Sequence, residues 1–148
     1  MGLLDKIFKR KSPVRNKESG SSAERYKKSF IHAIDGILYC IKFEHNMIII
    51  IISAIIVIIC GFFFNISLYE WLFIITMIGM ISACEMINSS IEAAIDLTTS
   101  EIQPLAKISK DTASSATLIL CITALIGGLI IFLPKVIDFI GGLLWLKN

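Results

Sequence analysis

Apolar residues recur along this chain with two different rhythms. Between residues 24 and 43, Phe30, Ala33, Ile34, Ile37, Leu38 and Ile41 return at three- and four-residue intervals, while Lys27, Lys28, His32 and Asp35 fall largely elsewhere. That period predicts an amphipathic helix suited to a membrane interface. Residues 47–64 follow without one charged side chain and include an isoleucine run at 48–52. A stretch of that length is a membrane-span candidate. Two further spans are expected at 71–90 and 112–133, the latter also uncharged. The fold class expected is all-α integral membrane: three transmembrane helices plus an N-terminal amphipathic surface helix.

Composition excludes the soluble alternative. Of 148 residues, 55% are hydrophobic and only 18% are charged, against roughly a quarter charged in average soluble chains. A single water-soluble core of this size could not bury so much apolar material.

The net charge is +2, but ten of the fourteen Lys and Arg lie between Lys6 and Lys42. The connection at 65–70 has none, whereas Lys107 and Lys110 follow the second span. The positive-inside rule then puts the N-terminus and the 91–111 connection in the cytoplasm and the C-terminus outside. No nucleic-acid-binding motif accompanies the basic residues, so an anionic membrane surface suits them better than nucleic acid. Residues 1–23 read as a basic cytoplasmic tail or linker, either an anchor lying on the membrane or a disordered segment. Residues 136–148 read as a C-terminal extension beyond a 24–135 membrane domain. Cys40, Cys60, Cys84 and Cys121 show no metal or disulfide spacing and serve as small apolar fillers. Trp71 and Trp145 suit membrane-interface anchors, His32 and His45 solvated surface positions, and Gly127-Gly128 close helix packing.

Chemistry concentrates in the second span. Glu85, Asn88, Ser89, Glu92 and Asp96 are spaced by threes and fours and so share one helical stripe. At about 1.5 Å per residue, Glu85 lies ~22 Å along the helix from Glu70, which marks one membrane boundary. That depth is still within a hydrocarbon core of ~30 Å, while Glu92 reaches the interface. Asn88 or Ser89 alone would be helix–helix glue. An intramembrane Glu within such a stripe is a functional group, because an unpaired carboxylate there is costly. Burial suits Glu85 to general-base work. Glu44 stands at the same interface as Glu92, and two carboxylates with substrate phosphates make a common Mg²⁺ site. Lys107, Lys110 and Asp111 are on that side too, available to a nucleotide polyphosphate and sugar. Phosphoryl transfer needs positioning, metal and charge neutralisation, which a chain this small can supply. No GxxxxGK[ST] or protein-kinase motif is present. A small oligomeric channel lined by the stripe is the non-enzymatic alternative, but a pore would not need Glu44, Lys110 and Asp111.

The run Glu85-Met-Ile-Asn88-Ser-Ser-Ile-Glu92-Ala-Ala-Ile-Asp96 resembles the ExxNxxxExxxD signature of the bacterial diacylglycerol kinase/undecaprenol kinase family. The resemblance extends over about 24–135 and includes Arg25-Tyr-Lys-Lys-Ser-Phe, Phe43-Glu44-His-Asn46, Gly61-Phe-Phe-Phe and Pro104-Leu-Ala-Lys-Ile-Ser-Lys110-Asp111. It is nearest the Gram-positive branch, whose members phosphorylate undecaprenol. It implies a homotrimeric bundle in the bacterial plasma membrane, with composite active sites between subunits, ATP as phosphate donor and Mg²⁺ as cofactor. The acceptor would be a lipid alcohol, either undecaprenol or diacylglycerol. By motif, Glu85 would be the base, with Asn88 helping to orient it and Ser89 beside the lipid. Glu44 and Glu92 would ligate Mg²⁺ and, with Arg25, Asp96, Glu101, Lys110 and Asp111, surround the nucleotide. Gln103 departs from a frequent His of the family, and Met47-Ile48 from an aromatic–Arg pair.

Overall fold

Four helices follow one another in the computed structural model: α1 (Ser22–Phe43), α2 (His45–Phe63), α3 (Leu68–Thr98) and α4 (Pro104–Trp145). The backbone is described for residues 21–98 and 103–145, and side chains as far as residue 142. The basic tail at 1–20, Glu101, the Trp145 side chain and residues 146–148 lie outside the described residues. Helices α2, α3 and α4 are each long and apolar enough to cross a membrane. They coincide with the three expected spans but outrun two of them. Helix α3 continues to Thr98, carrying the whole polar stripe, and α4 continues past Pro134 to Trp145. A proline interrupts helices in water by removing an N–H and crowding the preceding turn, yet membrane helices tolerate it where neighbours re-satisfy the freed carbonyl.

The chain divides into two compact units, Met1–Gly36 and Ile37–Asn148, with the division falling inside α1. In the first, Ser21 and Glu24 form a reciprocal capping box: the Ser21 N–H donates to Glu24 Oε2 (2.9 Å) and the Glu24 N–H to Ser21 Oγ (3.4 Å).

In the second unit, α1 gives way to α2 through Glu44 alone, whose backbone is extended (φ −97°, ψ 114°). Helix α2 ends in a tight reversal. Asn65 takes the left-handed conformation (φ 47°), the Asn65 N–H reaches Phe62 O (3.2 Å) and the Ile66 N–H reaches Gly61 O (3.1 Å). These are the paired bonds of a Schellman closure, with Asn in the position usually held by Gly. Ser67 and Glu70 then form a second capping box that opens α3. Glu70 Oε1 also accepts from Lys135 Nζ on α4 (2.9 Å), tying the two helices together at this end.

Beneath that ion pair, Ile66, Ile74 and Ile131 form a small core, with Phe64, Trp71, Phe73 and Phe132 packed around it. Gly61 is required there because a Cβ would come within 2.8 Å of the Trp71 ring and 3.1 Å of Ile66. Gly61→Ala is expected to cost about 1–3 kcal/mol through overpacking. A lowered thermal midpoint by circular dichroism in detergent would show it.

Candidate active site on the third helix

Along α3 the polar stripe passes from buried to exposed. Glu85 is only 2% exposed; Asn88 and Ser89 are also buried, Glu92 is half-buried and Asp96 is exposed. Eleven residues separate the ends, ~16 Å along the axis. The stripe therefore joins a dry interior to an accessible surface, as its spacing implies. Ser89 Oγ donates to the Glu85 carbonyl one turn back (3.1 Å), so its proton is engaged and only its lone pairs remain for another group.

Glu85 is held from another helix. Asn46 Nδ2, on the first turn of α2, donates to Glu85 Oε1 at 2.9 Å. That bond fixes the plane of the group and leaves Oε2 to act. Glu44 lies two residues before Asn46 and is half-buried. The buried Cys40 thiol is pushed above its ordinary pKa by burial and then by the Glu44 and Glu85 charges, so it is an inert neighbour rather than a nucleophile. Both carboxylates therefore act on one small region where the end of α1, the start of α2 and α3 converge.

One turn beyond Glu85, Asn88 Nδ2 donates to Glu92 Oε1 (3.2 Å), and Asn88 Oδ1 is buried without a hydrogen-bond partner. A buried unsatisfied carbonyl oxygen is expensive unless something binds it. With the Glu92 carboxylate it offers the hard oxygen donors that Mg²⁺ prefers. Among the described residues no three His, Cys, Asp or Glu side chains gather as a self-contained metal cage. The donor set fits a cation that draws its remaining ligands from phosphate and water.

Past Glu92, Lys110 Nζ on α4 bonds Asp96 Oδ1 on α3 at 2.5 Å. This pair brings together two of the expected nucleotide residues across the connection between their helices. Lys107 and Asp111 are exposed nearby in sequence. Arg25 lies in the first compact unit, where its guanidinium donates to Ser22 Oγ (3.3 Å). Thr117 Oγ1 on α4 donates to Cys84 Sγ (3.6 Å), a further cross-link between α3 and α4 beside Glu85.

Asn46 is the residue that pattern reasoning left without a role. Its partner is 39 positions away, and its only signal was its place in the Phe43-Glu44-His-Asn46 segment. A hydrogen bond to a charged group is worth about 1.5–3 kcal/mol. Asn46→Leu is therefore expected to lower kcat by about 10–100-fold with little change in the KM for nucleotide, as steady-state kinetics would show.

The chain matches known proteins over most of its length. The family model described as "Prokaryotic diacylglycerol kinase" matches residues 31–132. That stretch includes Glu44, Glu85, Asn88, Glu92, Asp96, Lys110 and Asp111 but not Arg25. Undecaprenol kinase of Bacillus subtilis is 38% identical over 120 residues, covering 81% of this chain and 98% of that protein. Diacylglycerol kinase of Helicobacter pylori strain J99 is 37% identical over 96 residues, covering 65% of this chain and 75% of that protein. The diacylglycerol kinase of a second Helicobacter pylori strain, 26695, is 37% identical over 97 residues.

Proposed function

Because the chain belongs to the prokaryotic diacylglycerol kinase family, we propose that this multi-pass membrane lipid kinase transfers the γ-phosphoryl group of ATP to undecaprenol, giving undecaprenyl phosphate and ADP. The observation that carries the chemistry is Glu85, 2% exposed within an apolar helix and held by Asn46 at 2.9 Å. The acceptor rests on the match to undecaprenol kinase over 98% of that protein's length, against 75% for the diacylglycerol kinase of strain J99. Diacylglycerol is the second reading, favoured by the names of two relatives.

In this reading the lipid hydroxyl enters from the membrane at the level of Glu85. Its oxygen attacks the γ-phosphorus, the bond from that phosphorus to the bridging oxygen of ADP breaks, and the hydroxyl proton passes to Glu85 Oε2. Asn46 holds the base, and Ser89 and Asn88 offer lone pairs to the lipid hydroxyl or its neighbours. The lipid needs no deep aqueous cleft, because the buried end of the stripe meets it in the membrane. The nucleotide lies at the exposed end, among Glu92, Asp96, Lys110 and Asp111. Glu44 and Glu92 would hold Mg²⁺, which when bound neutralises charge on the phosphate oxygens. The basic N-terminal segment and the 91–111 connection face the cytoplasm, where ATP is available, and the C-terminus faces outside. Helix α1 lies along the interface with Phe30, Ile34 and Ile41 toward lipid; each is exposed and apolar.

The working unit in this proposal is a homotrimer with sites between chains. The support is the outer end of the stripe, where Asp96 is exposed and Glu92 only half covered within one chain. Native mass spectrometry in detergent is expected to give three copies. The function itself is tested by ATP consumption of the purified protein. Turnover is expected only when a lipid alcohol and Mg²⁺ are both present, and turnover without lipid would contradict a lipid kinase.

A further inference from the structure

The free thiols take no part in the transfer chemistry, yet two of them meet where α3 packs on α4. Thr117 Oγ1 on α4 donates to Cys84 Sγ on α3 (3.6 Å), and Cys121 follows Thr117 by one turn on the same face of α4. The two helices run antiparallel here. From the Phe73–Gly127 contact to Cys84–Thr117 is eleven residues on α3 and ten on α4. Cys84 is therefore level with Thr117, and Cys121 lies one turn, ~6 Å, toward the level of Ile81. A helical Cβ leans toward the N-terminus of its own helix. On antiparallel helices the Cys84 side chain thus leans toward the level of Cys121, and the Cys121 side chain leans back toward that of Cys84. Cys121 also lines an apolar cavity with Met77 and Ile81 of α3 and Ala124 of α4. Leu125 and Leu129 of the same lining are more than half exposed, so the cavity can be entered from the membrane.

Spacing and charge decide what the two thiols can hold. Packed helices run about 8–10 Å apart with Cα atoms about 2.3 Å from each axis, so a one-turn offset puts the two Cα atoms about 7–8 Å apart. That is at or past the ~7 Å limit for a disulfide. A bridge with one more atom between the sulfurs spans the gap. A divalent cation does not suit the place. It needs further ligands, and among the described residues no third His, Cys, Asp or Glu joins the pair. It also needs ionised thiols, which an apolar setting penalises. Trivalent arsenic carrying one carbon substituent takes two sulfurs, needs no third ligand and stays uncharged throughout.

We propose that Cys84 and Cys121 form a dithiol site that binds one uncharged trivalent organoarsenical, with its carbon substituent in the apolar cavity. With an arsine oxide, two As–S bonds form, the arsenic–oxygen double bond breaks, and both thiol protons leave with the oxygen as water. Arsenic remains trivalent, so no oxidant is required. The adduct ties α3 to α4 beside Glu85. The site stands apart from the kinase reading, because its occupancy is measured without turnover.

The test treats the whole protein in detergent with phenylarsine oxide, removes arsenic held by a single thiol with excess 2-mercaptoethanol, and measures intact mass. One phenylarsenic unit per chain should survive that wash and come off with 1,2-ethanedithiol. Cys84→Ala and Cys121→Ala should each lower the retained label at least tenfold. Cys121→Ser, closer in size, should do the same. Cys60 is fourteen residues along α2 from Asn46, ~21 Å away, and Cys40 is buried on α1. The double variant Cys40→Ala/Cys60→Ala keeps only the proposed pair and should retain the full label. Label kept without Cys84 or Cys121, label lost from the double variant, or no label surviving the wash in the wild type would overturn the site. So would arsenic found joining two chains, which intact mass reads as a covalent dimer.

Discussion

Glu85→Gln is expected to abolish phosphoryl transfer, by about 10²–10⁴-fold, the usual contribution of a general base, while nucleotide binding survives. The substitution keeps the shape of the side chain. Its amide oxygen can still accept from Asn46 Nδ2, which bonds Glu85 Oε1 at 2.9 Å. What disappears is the charge and the capacity to take a proton. Because Glu85 is 2% exposed and lies ~10 Å along α3 from Glu92, its loss should leave contacts at the exposed end of the stripe in place. Nucleotide binding by isothermal titration and lipid phosphorylation, measured on the same preparation, separate the two effects. Wild-type turnover in this variant would remove Glu85 from the chemistry.

The second large effect is expected at the metal. Glu44→Ala and Glu92→Ala should each weaken Mg²⁺-nucleotide binding by about 10–100-fold, the loss seen even when residues that only support metal ligands are removed. Glu92 is the better defined of the two. Asn88 fixes its Oε1, and the unpartnered Asn88 Oδ1 beside it awaits a cation or a donor. Glu44, the single extended residue between α1 and α2, has no side-chain capping bond of its own. Mg²⁺ titrations matching wild type in both variants would end the shared-metal idea.

The polar stripe was legible in the sequence because it depends on helix geometry alone. Threes and fours put Glu85, Asn88, Glu92 and Asp96 on one face, and counting residues from Glu70 gave the depth at which Glu85 is buried. Contacts between helices were not legible. Asn46 reaches Glu85 across 39 positions, and no period links an α2 residue to an α3 one. Gly127-Gly128 read as a close-packing pair, and the structure divides their roles. Gly127 seats the Phe73 ring, whereas Gly128 has nothing near its absent Cβ and lines an apolar cavity among α2, α3 and α4. The Ser67–Glu70 capping box that opens α3 was written plainly as S-x-x-E, but a search for chemistry passes over it. The end of α4 defeated pattern reasoning for another reason: Pro134 and Lys135 look like a stop, yet Lys135 is engaged by Glu70 and the helix runs on.

Burial also changes the reason for an oligomer. The sequence suggests that Glu85 needs a neighbouring subunit to keep it from lipid. In the structure a single chain already covers it, with Ser89 bonded to its carbonyl and Asn46 to its side chain. What a neighbour could complete is the opposite end, at Glu92 and Asp96.

Acceptor choice is the central claim, and a competition experiment tests it most directly. Purified protein in one micelle preparation, with undecaprenol and diacylglycerol at equal concentration, receives labelled ATP and Mg²⁺, and the lipid products are separated. Undecaprenyl phosphate is expected to dominate. Phosphatidic acid as the main product, or label in neither lipid, would contradict it.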